Sequence, residues 1–192
     1  MKRSHFLNSR VNTEYYEPLY KHLFDVIITP PDILTTSKEW TGGKELILDQ
    51  ITEISGIDVD LLPSTVKQQF KGATRNFSGV IPDKTSVEVT IKFNLNLNEN
   101  KESFIYNAFR KWSDIQYDPL TATHALKSTY VSPAGLSVFM FDKIGDVYRK
   151  VELKNAFISK PFAAITKSYG NNELESMDIS FIADYFNNTY KQ

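Results

Sequence analysis

The sequence predicts a mainly β protein with one flanking α-helix, its antiparallel sheets packed as a β-sandwich or partial barrel. Three observations predict it. Strict apolar–polar alternation recurs in long segments, which is the period of a half-buried strand. One segment alone carries a full helical stripe. Gly, Pro, Asn and Asp punctuate the intervals as turn residues. Strands with one apolar and one polar face form an antiparallel sheet wetted on one side.

The chain has 192 residues, enough for one core. We read residues 1–21 as a polar, aromatic N-terminal arm and 22–192 as a single domain. "HLFDVIIT" (22–29) places Phe24, Val26 and Ile28 on one face and is the opening strand. Pro30-Pro31 ends it, because proline cannot donate to a ladder. Residues 30–44 are a loop inserted before a second strand near 45–54. Residues 55–85 carry the turn residues Gly56, Pro63, Gly72, Gly79 and Pro82. Between them, "VKQQFK" and "TRNFSGVI" read as short polar strands in an exposed excursion.

The segment 87–97 alternates without a break. Val87, Val89, Ile91, Phe93, Leu95 and Leu97 share one face; Glu88, Thr90, Lys92, Asn94 and Asn96 share the other. Eleven such residues would span roughly 36 Å. A helix over 99–113 follows, with the stripe Phe104, Ile105, Ala108, Phe109, Trp112 to cover the dry side of that strand. Residues 114–135 are a second inserted connector. A hairpin then joins 136–142 to 147–161 through a tip at Gly145-Asp146. The closing strand 173–186 turns Met177, Ile179, Phe181, Ala183 and Tyr185 inward, and Asp178, Ser180 and Asp184 outward.

Composition excludes several function classes. A net charge of −1 provides no global field toward nucleic acid or membrane. The chain has no cysteine, so disulfides and cysteine–zinc sites are excluded. No run approaches the ~18 apolar residues of a membrane span. The N-terminus lacks the apolar core of a signal peptide. His5, His22 and His124 have no metal-ligand spacing. Thr41-Gly42-Gly43-Lys44 lacks the phosphate-loop spacing and is followed by strand rather than helix. Ser64 and Lys67 fit S-x-x-K only by chance, since turn residues frame them. Glu88 could meet Asp178 or Asp184 across the wet face, but such carboxylates ordinarily serve solvation. We therefore expect no catalytic residues, no metal, no cofactor and no enzyme activity.

The candidate functional residues lie elsewhere. In the excursion 66–82, Phe70 and Phe77 are isolated aromatics in a polar segment, with Lys71, Arg75 and Asn76 beside them. Such aromatics anchor neighbours, and the cations pair with a neighbour's carboxylates. Trp40 is either tucked under its own loop or an interface anchor, and it joins this interface set.

The order of elements supplies a resemblance. "FDVIITP", "FKGATRNFSG…SVEVTIKFNLNLNENKESFIYNAFRKW" and "YRKVELKNAFISKP…NNELESMDISFIADYF" resemble the tail tube proteins of contractile-tailed bacteriophages, which are similar in fold to the tube proteins of type VI secretion and contractile injection systems. The resemblance covers roughly 20–190. It implies homo-hexameric rings, each closed into a ring-shaped barrel and stacked into an inner tail tube for DNA passage. On that reading Glu88, Thr90, Lys92, Asn94, Asn96, Asp178 and Ser180 face the channel. Sheath, baseplate and tail terminator proteins are the implied partners. Tape measure protein and DNA would pass the lumen without sequence-specific binding. The implied location is a virion tail assembled in host cytoplasm, without membrane contact. The loops 30–44 and 114–135 depart from the compact family pattern. They leave open a baseplate, initiator or terminator ring, or the tube of an injection system. A small β-barrel binding protein or enzyme is the remote alternative, distinguished by monomeric behaviour and an apolar pocket.

Overall fold

The computed structural model describes residues 19–40, 49–57, 63–70, 72–82, 87–97, 104–160, 162 and 174–190. Ten strands and two α-helices are assigned among them: β1 Phe24–Ile28, β2 Ile51–Ser55, β3 Pro63–Phe70, β4 Ala73–Pro82, β5 Val87–Asn94, α1 Phe104–Gln116, β6 Tyr117–Asp118, β7 Thr123–His124, α2 Lys127–Tyr130, β8 Leu136–Phe141, β9 Val147–Ile158 and β10 Ser176–Tyr190. Six of the strands form one antiparallel sheet in the order β1-β8-β9-β10-β5-β2. The sheet is curled into a half-barrel. Two separate two-stranded ribbons, β3-β4 and β6-β7, complete the β structure.

The alternation in β5 does what its period dictates. Val87, Val89, Ile91 and Phe93 are buried, and β10 opposes them with Ala183, Phe181, Ile179 and Met177 in register. Helix α1 lies over this dry face. Its Phe109 ring sits 5.1 Å from Phe93 and 6.0 Å from Phe181, while Trp112 sits 5.6 Å from Phe181. Trp112 is fully buried, and its Nε1–H donates to the Tyr130 carbonyl at 2.8 Å. The same core continues under β1, β8 and β9 through Val26, Ile28, Leu136, Val138, Val151 and Leu153.

Several boundaries differ from the sequence expectation. β5 ends at Asn94, not Leu97, because its partners end there: β10 begins at Ser176 and β2 at Ile51. Leu97 is accordingly 70% exposed. β2 is shorter than the expected 45–54, with a helical residue and a turn at 49–50 and residues 45–48 outside the described residues. Helix α1 runs three residues past the expected end, where Gln116 Nε2 donates to the Ile158 carbonyl at 3.1 Å; residues 99–103 lie outside the described residues. The loop 30–44 contains a 3₁₀ turn Asp32–Leu34 and helical residues 38–40. The connector 114–135 contains β6, β7 and α2. Of the N-terminal arm, residues 1–18 lie outside the described residues.

The hairpin tip forms where Gly145 was expected to place it. Asp142 Oδ1 accepts the backbone N–H groups of Ile144, Gly145 and Asp146 at 2.8–2.9 Å, and Gly145 takes φ +98°. The closing strand departs from simple alternation. Ala183 is buried but Tyr185 is 66% exposed, and the next residue packed on the core is Phe186. β9 shifts at the same place, from Leu153 to Ala156, across Asn155 at φ +55°. The two strands change face together, so their mutual register is unbroken.

Candidate functional site

The excursion is a β-ribbon. β3 and β4 pair Thr65 with Ser78, Val66 with Phe77, Lys67 with Asn76, Gln68 with Arg75, Gln69 with Thr74 and Phe70 with Ala73. Gly72, at φ +82°, supplies the left-handed conformation its two-residue turn needs. Every described side chain from 65 to 69 and from 72 to 78 is exposed. Phe77 at 48% and Val66 at 53% stand opposite one another, so they form one apolar patch on one ribbon face. Arg75 shares that face, and Asn76 and Lys67 lie on the other. Phe70 lies in β3 with its side chain outside the described residues, and Lys71 lies outside them altogether. The sequence reasoning singled out Phe77 and missed Val66, whose importance depends on cross-strand register.

Trp40 belongs elsewhere. It is 3% exposed, with its ring 5.4 Å from Phe109 and 5.8 Å from Trp112. This corrects its assignment to the interface: helical residues 38–40 carry it onto α1, and burial of a large apolar ring outweighs its loop-like sequence context. Glu39 beside it accepts from Lys111 Nζ at 2.6 Å. That hydrogen bond is the main cause holding the Glu39 carboxyl below its ordinary value.

The wet face of the sheet carries Glu88, Thr90, Lys92 and Asn94 from β5 and Asp178 and Ser180 from β10. Asp178 stands opposite Lys92, and Ser180 opposite Thr90, with a 2.9 Å hydroxyl–hydroxyl hydrogen bond between the latter pair. Ser180 departs from the expected water-facing position: it is 9% exposed, in the middle of the sheet between Thr90 on β5 and Ser159 beyond the end of β9, which donates to its carbonyl from N at 2.8 Å and Oγ at 3.1 Å. Asn96 is exposed but lies beyond the end of β5. Toward the Asn94 end, Thr52, Glu53, Lys92, Asn94, Leu174 and Ser176 line an open cleft of about 450 Å³.

The structure does not bring the wet-face carboxylates together. Glu88 is ion-paired with Lys160, and Asp184 with Lys127 at 2.8 Å. Further along, Lys150 pairs with Glu152 at 2.6 Å. Lys150 first, then Asn187, lowers the Glu152 carboxyl from its ordinary value. Asp118 is lowered by the Thr121 hydroxyl and the Leu120 N–H within its own turn. His124 packs at a tilt against Tyr117 and His22 against Tyr20, and His5 lies outside the described residues. Ser64 and Lys67 lie on an extended strand, not one helical turn. Residues 41–48, including the glycine pair, lie outside the described residues. Among the described residues, no group of three or more His, Cys, Asp or Glu could hold a metal, and no helix is long and apolar enough to cross a membrane.

No family model and no curated protein matches the chain. Solved structures do. A chain of the anti-feeding prophage cap, the AFP tube-terminating cap, superimposes with a TM-score of 0.57 at 15% identity, covering 92% of this chain and 93% of its own. The extended sheath–tube complex of PVC, an extracellular contractile injection system, contributes a match of 0.56 at 14% identity, covering 95% and 97%. The chain has the fold of contractile injection system tube and cap proteins. The AFP baseplate adds a third such match, with TM-score 0.55 at 10% identity, covering 91% and 97%.

Proposed function

We propose that this chain is a structural subunit whose copies close into rings and stack into the inner tube of a contractile tail or injection system. The ribbon carries the reading. A two-stranded ribbon with its described side chains all exposed is marginal in water on its own. Val66 and Phe77 acquire a purpose when a neighbouring copy covers them. The one-sided sheet fits the same role. Its dry face is sealed by α1, and its wet face of hydroxyls, amides and charged groups suits a water-filled channel. On this reading the rings are hexameric, and Glu88, Thr90, Lys92, Asn94, Asn96 and Asp178 line the lumen. Sheath, baseplate and terminator proteins are the partners, and DNA or other cargo passes without sequence-specific binding. The role is non-enzymatic and the location is a phage tail or injection particle. Ring closure would also cover β1 and β2, the edge strands among the described residues, and such edges otherwise invite aggregation.

A second reading, a specialised terminator or baseplate ring, is favoured by the inserted connectors. They fold together over α1: Lys111 pairs with Glu39, and Tyr130 receives the Trp112 N–H. Negative-stain electron microscopy of the purified protein tests both. Long tubes support the tube, single or paired rings the specialised ring. A protein that stays monomeric over a wide concentration range overturns both.

A further inference from the structure

The wet face of the sheet is rich in charge, yet its lysines are answered by carboxylates beside them. Lys92 stands between Glu53 of β2 and Asp178 of β10. Glu88, four residues earlier on the same face of β5, is ion-paired with Lys160. Lys127 of α2 donates to both carboxylate oxygens of Asp184, at 2.9 and 2.8 Å. On β9, Lys150 holds Glu152 at 2.6 Å, and Glu152 also accepts from Asn187 Nδ2 at 3.3 Å. Lys154 follows two residues beyond Glu152. The residues between these pairs are hydroxyls and amides such as Thr90, Asn94 and Ser180.

Half-exposed pairs of this kind contribute little to stability. Their consequence is the field they leave outside the protein. A lone lysine attracts a phosphate from as far as a Debye length, roughly 10 Å. A lysine in hydrogen-bond contact with a carboxylate presents a dipole, whose field dies away much faster, and it must give up that partner before it can bind a phosphate. We propose that Glu88, Glu152 and Asp184 screen the lysines of the wet face, so that a polyanion such as duplex DNA passes along it without adhering. The screening is local and pairwise, and needs no excess of acid on the wall. It rests on the reading of this face as a channel lining and names the residues that make the lining non-adhesive.

The test is the variant Glu88→Gln, Glu152→Gln, Asp184→Asn, which keeps the side-chain shapes and releases Lys160, Lys150 and Lys127. A matched control, Asp32→Asn, Glu39→Gln, Asp114→Asn, removes as many carboxylates outside the wet face and releases Lys111 and Arg110. Far-UV circular dichroism verifies each fold, and fluorescence anisotropy reads binding of a short fluorescein-labelled DNA duplex at low salt. The wild type should not retain the duplex. The wet-face variant should bind it at least roughly tenfold more tightly than the control, with a salt slope of about −3, near one counterion per released lysine. Adding Lys127→Gln, Lys150→Gln and Lys160→Gln should abolish that binding. A wild type that binds as tightly as the variant, or a control that equals the variant, overturns the screening. Electron microscopy and a closed circular plasmid, which cannot thread a tube, test the underlying reading separately. Variant tubes that retain the linear duplex but not the circle support a lumenal face. Retention of both, or a variant that binds the duplex while both it and the wild type stay monomeric, overturns the lumenal reading and leaves the screening standing.

Discussion

Replacing Trp112 by Ala tests whether α1 is the seal of this fold. Trp112 is fully buried and touches three aromatic rings, with centroids at 5.8 Å (Trp40), 6.4 Å (Phe109) and 5.6 Å (Phe181). Truncating such a side chain removes its transfer free energy and leaves a cavity that stiff aromatic neighbours fill poorly. The expected loss is about 3–5 kcal/mol. That is a large part of the about 5–15 kcal/mol that stabilises an ordinary domain. At about 2–4 °C per kcal/mol for a chain of this size, the melting temperature should fall by roughly 6–20 °C. Trp112→Phe separates packing from polarity: it retains most of the ring but strands the Tyr130 carbonyl, which now accepts at 2.8 Å, and should cost about 1–2 kcal/mol. Urea titration followed by far-UV circular dichroism on dilute, monomeric protein gives both numbers. A loss below about 1 kcal/mol for Trp112→Ala would refute the reasoning, because it would mean that the sheet holds its dry face without the helix.

The remaining expectations address other parts of the molecule. Val66→Ser with Phe77→Ser should shift subunit stability by no more than about 0.5 kcal/mol, as for other exposed positions, yet stop assembly seen by electron microscopy; unfolding of the subunit would place the ribbon in the core instead. Gly135→Ala should cost at least about 2 kcal/mol in urea titration, since φ is +60° and the added Cβ would sit 1.9 Å from the Leu153 carbonyl oxygen, whereas Gly72→Ala, at φ +82° but with open space around it, should cost only its backbone strain of about 1 kcal/mol. Glu39 is lowered from 4.5 by Lys111, so its contribution is present above the unfolded value and is lost as pH falls through the folded one. Wild type and Lys111→Met should therefore differ by about 1 kcal/mol at neutral pH and converge in acid; a difference that does not shrink as the pH falls contradicts the pairing.

The sequence by itself determined the local grammar. Period-two alternation in 87–94 and 176–183, the helical stripe from Phe104 to Trp112 and the glycine at 145 each prescribe an element through its immediate neighbours, and the structure contains all of them. The polar, glycine-punctuated character of 66–82 likewise marked an excursion before its shape was known. What only the tertiary structure decided depends on partners distant in the chain. β5 stops at Asn94 because β2 and β10 stop beside it. Trp40 is buried because Phe109 and Trp112, some seventy residues away, offer an apolar surface. Ser180 loses its water because β10 lies between β5 and β9 in the sheet, and Val66 becomes part of a patch because register sets it opposite Phe77. Glu53 and Asp178, from two distant stretches of chain, are likewise brought to either side of Lys92 by the sheet alone. Periodicity reports which face of an element seeks burial; it does not say which other element provides it, since that choice is made by the summed packing of the whole sheet.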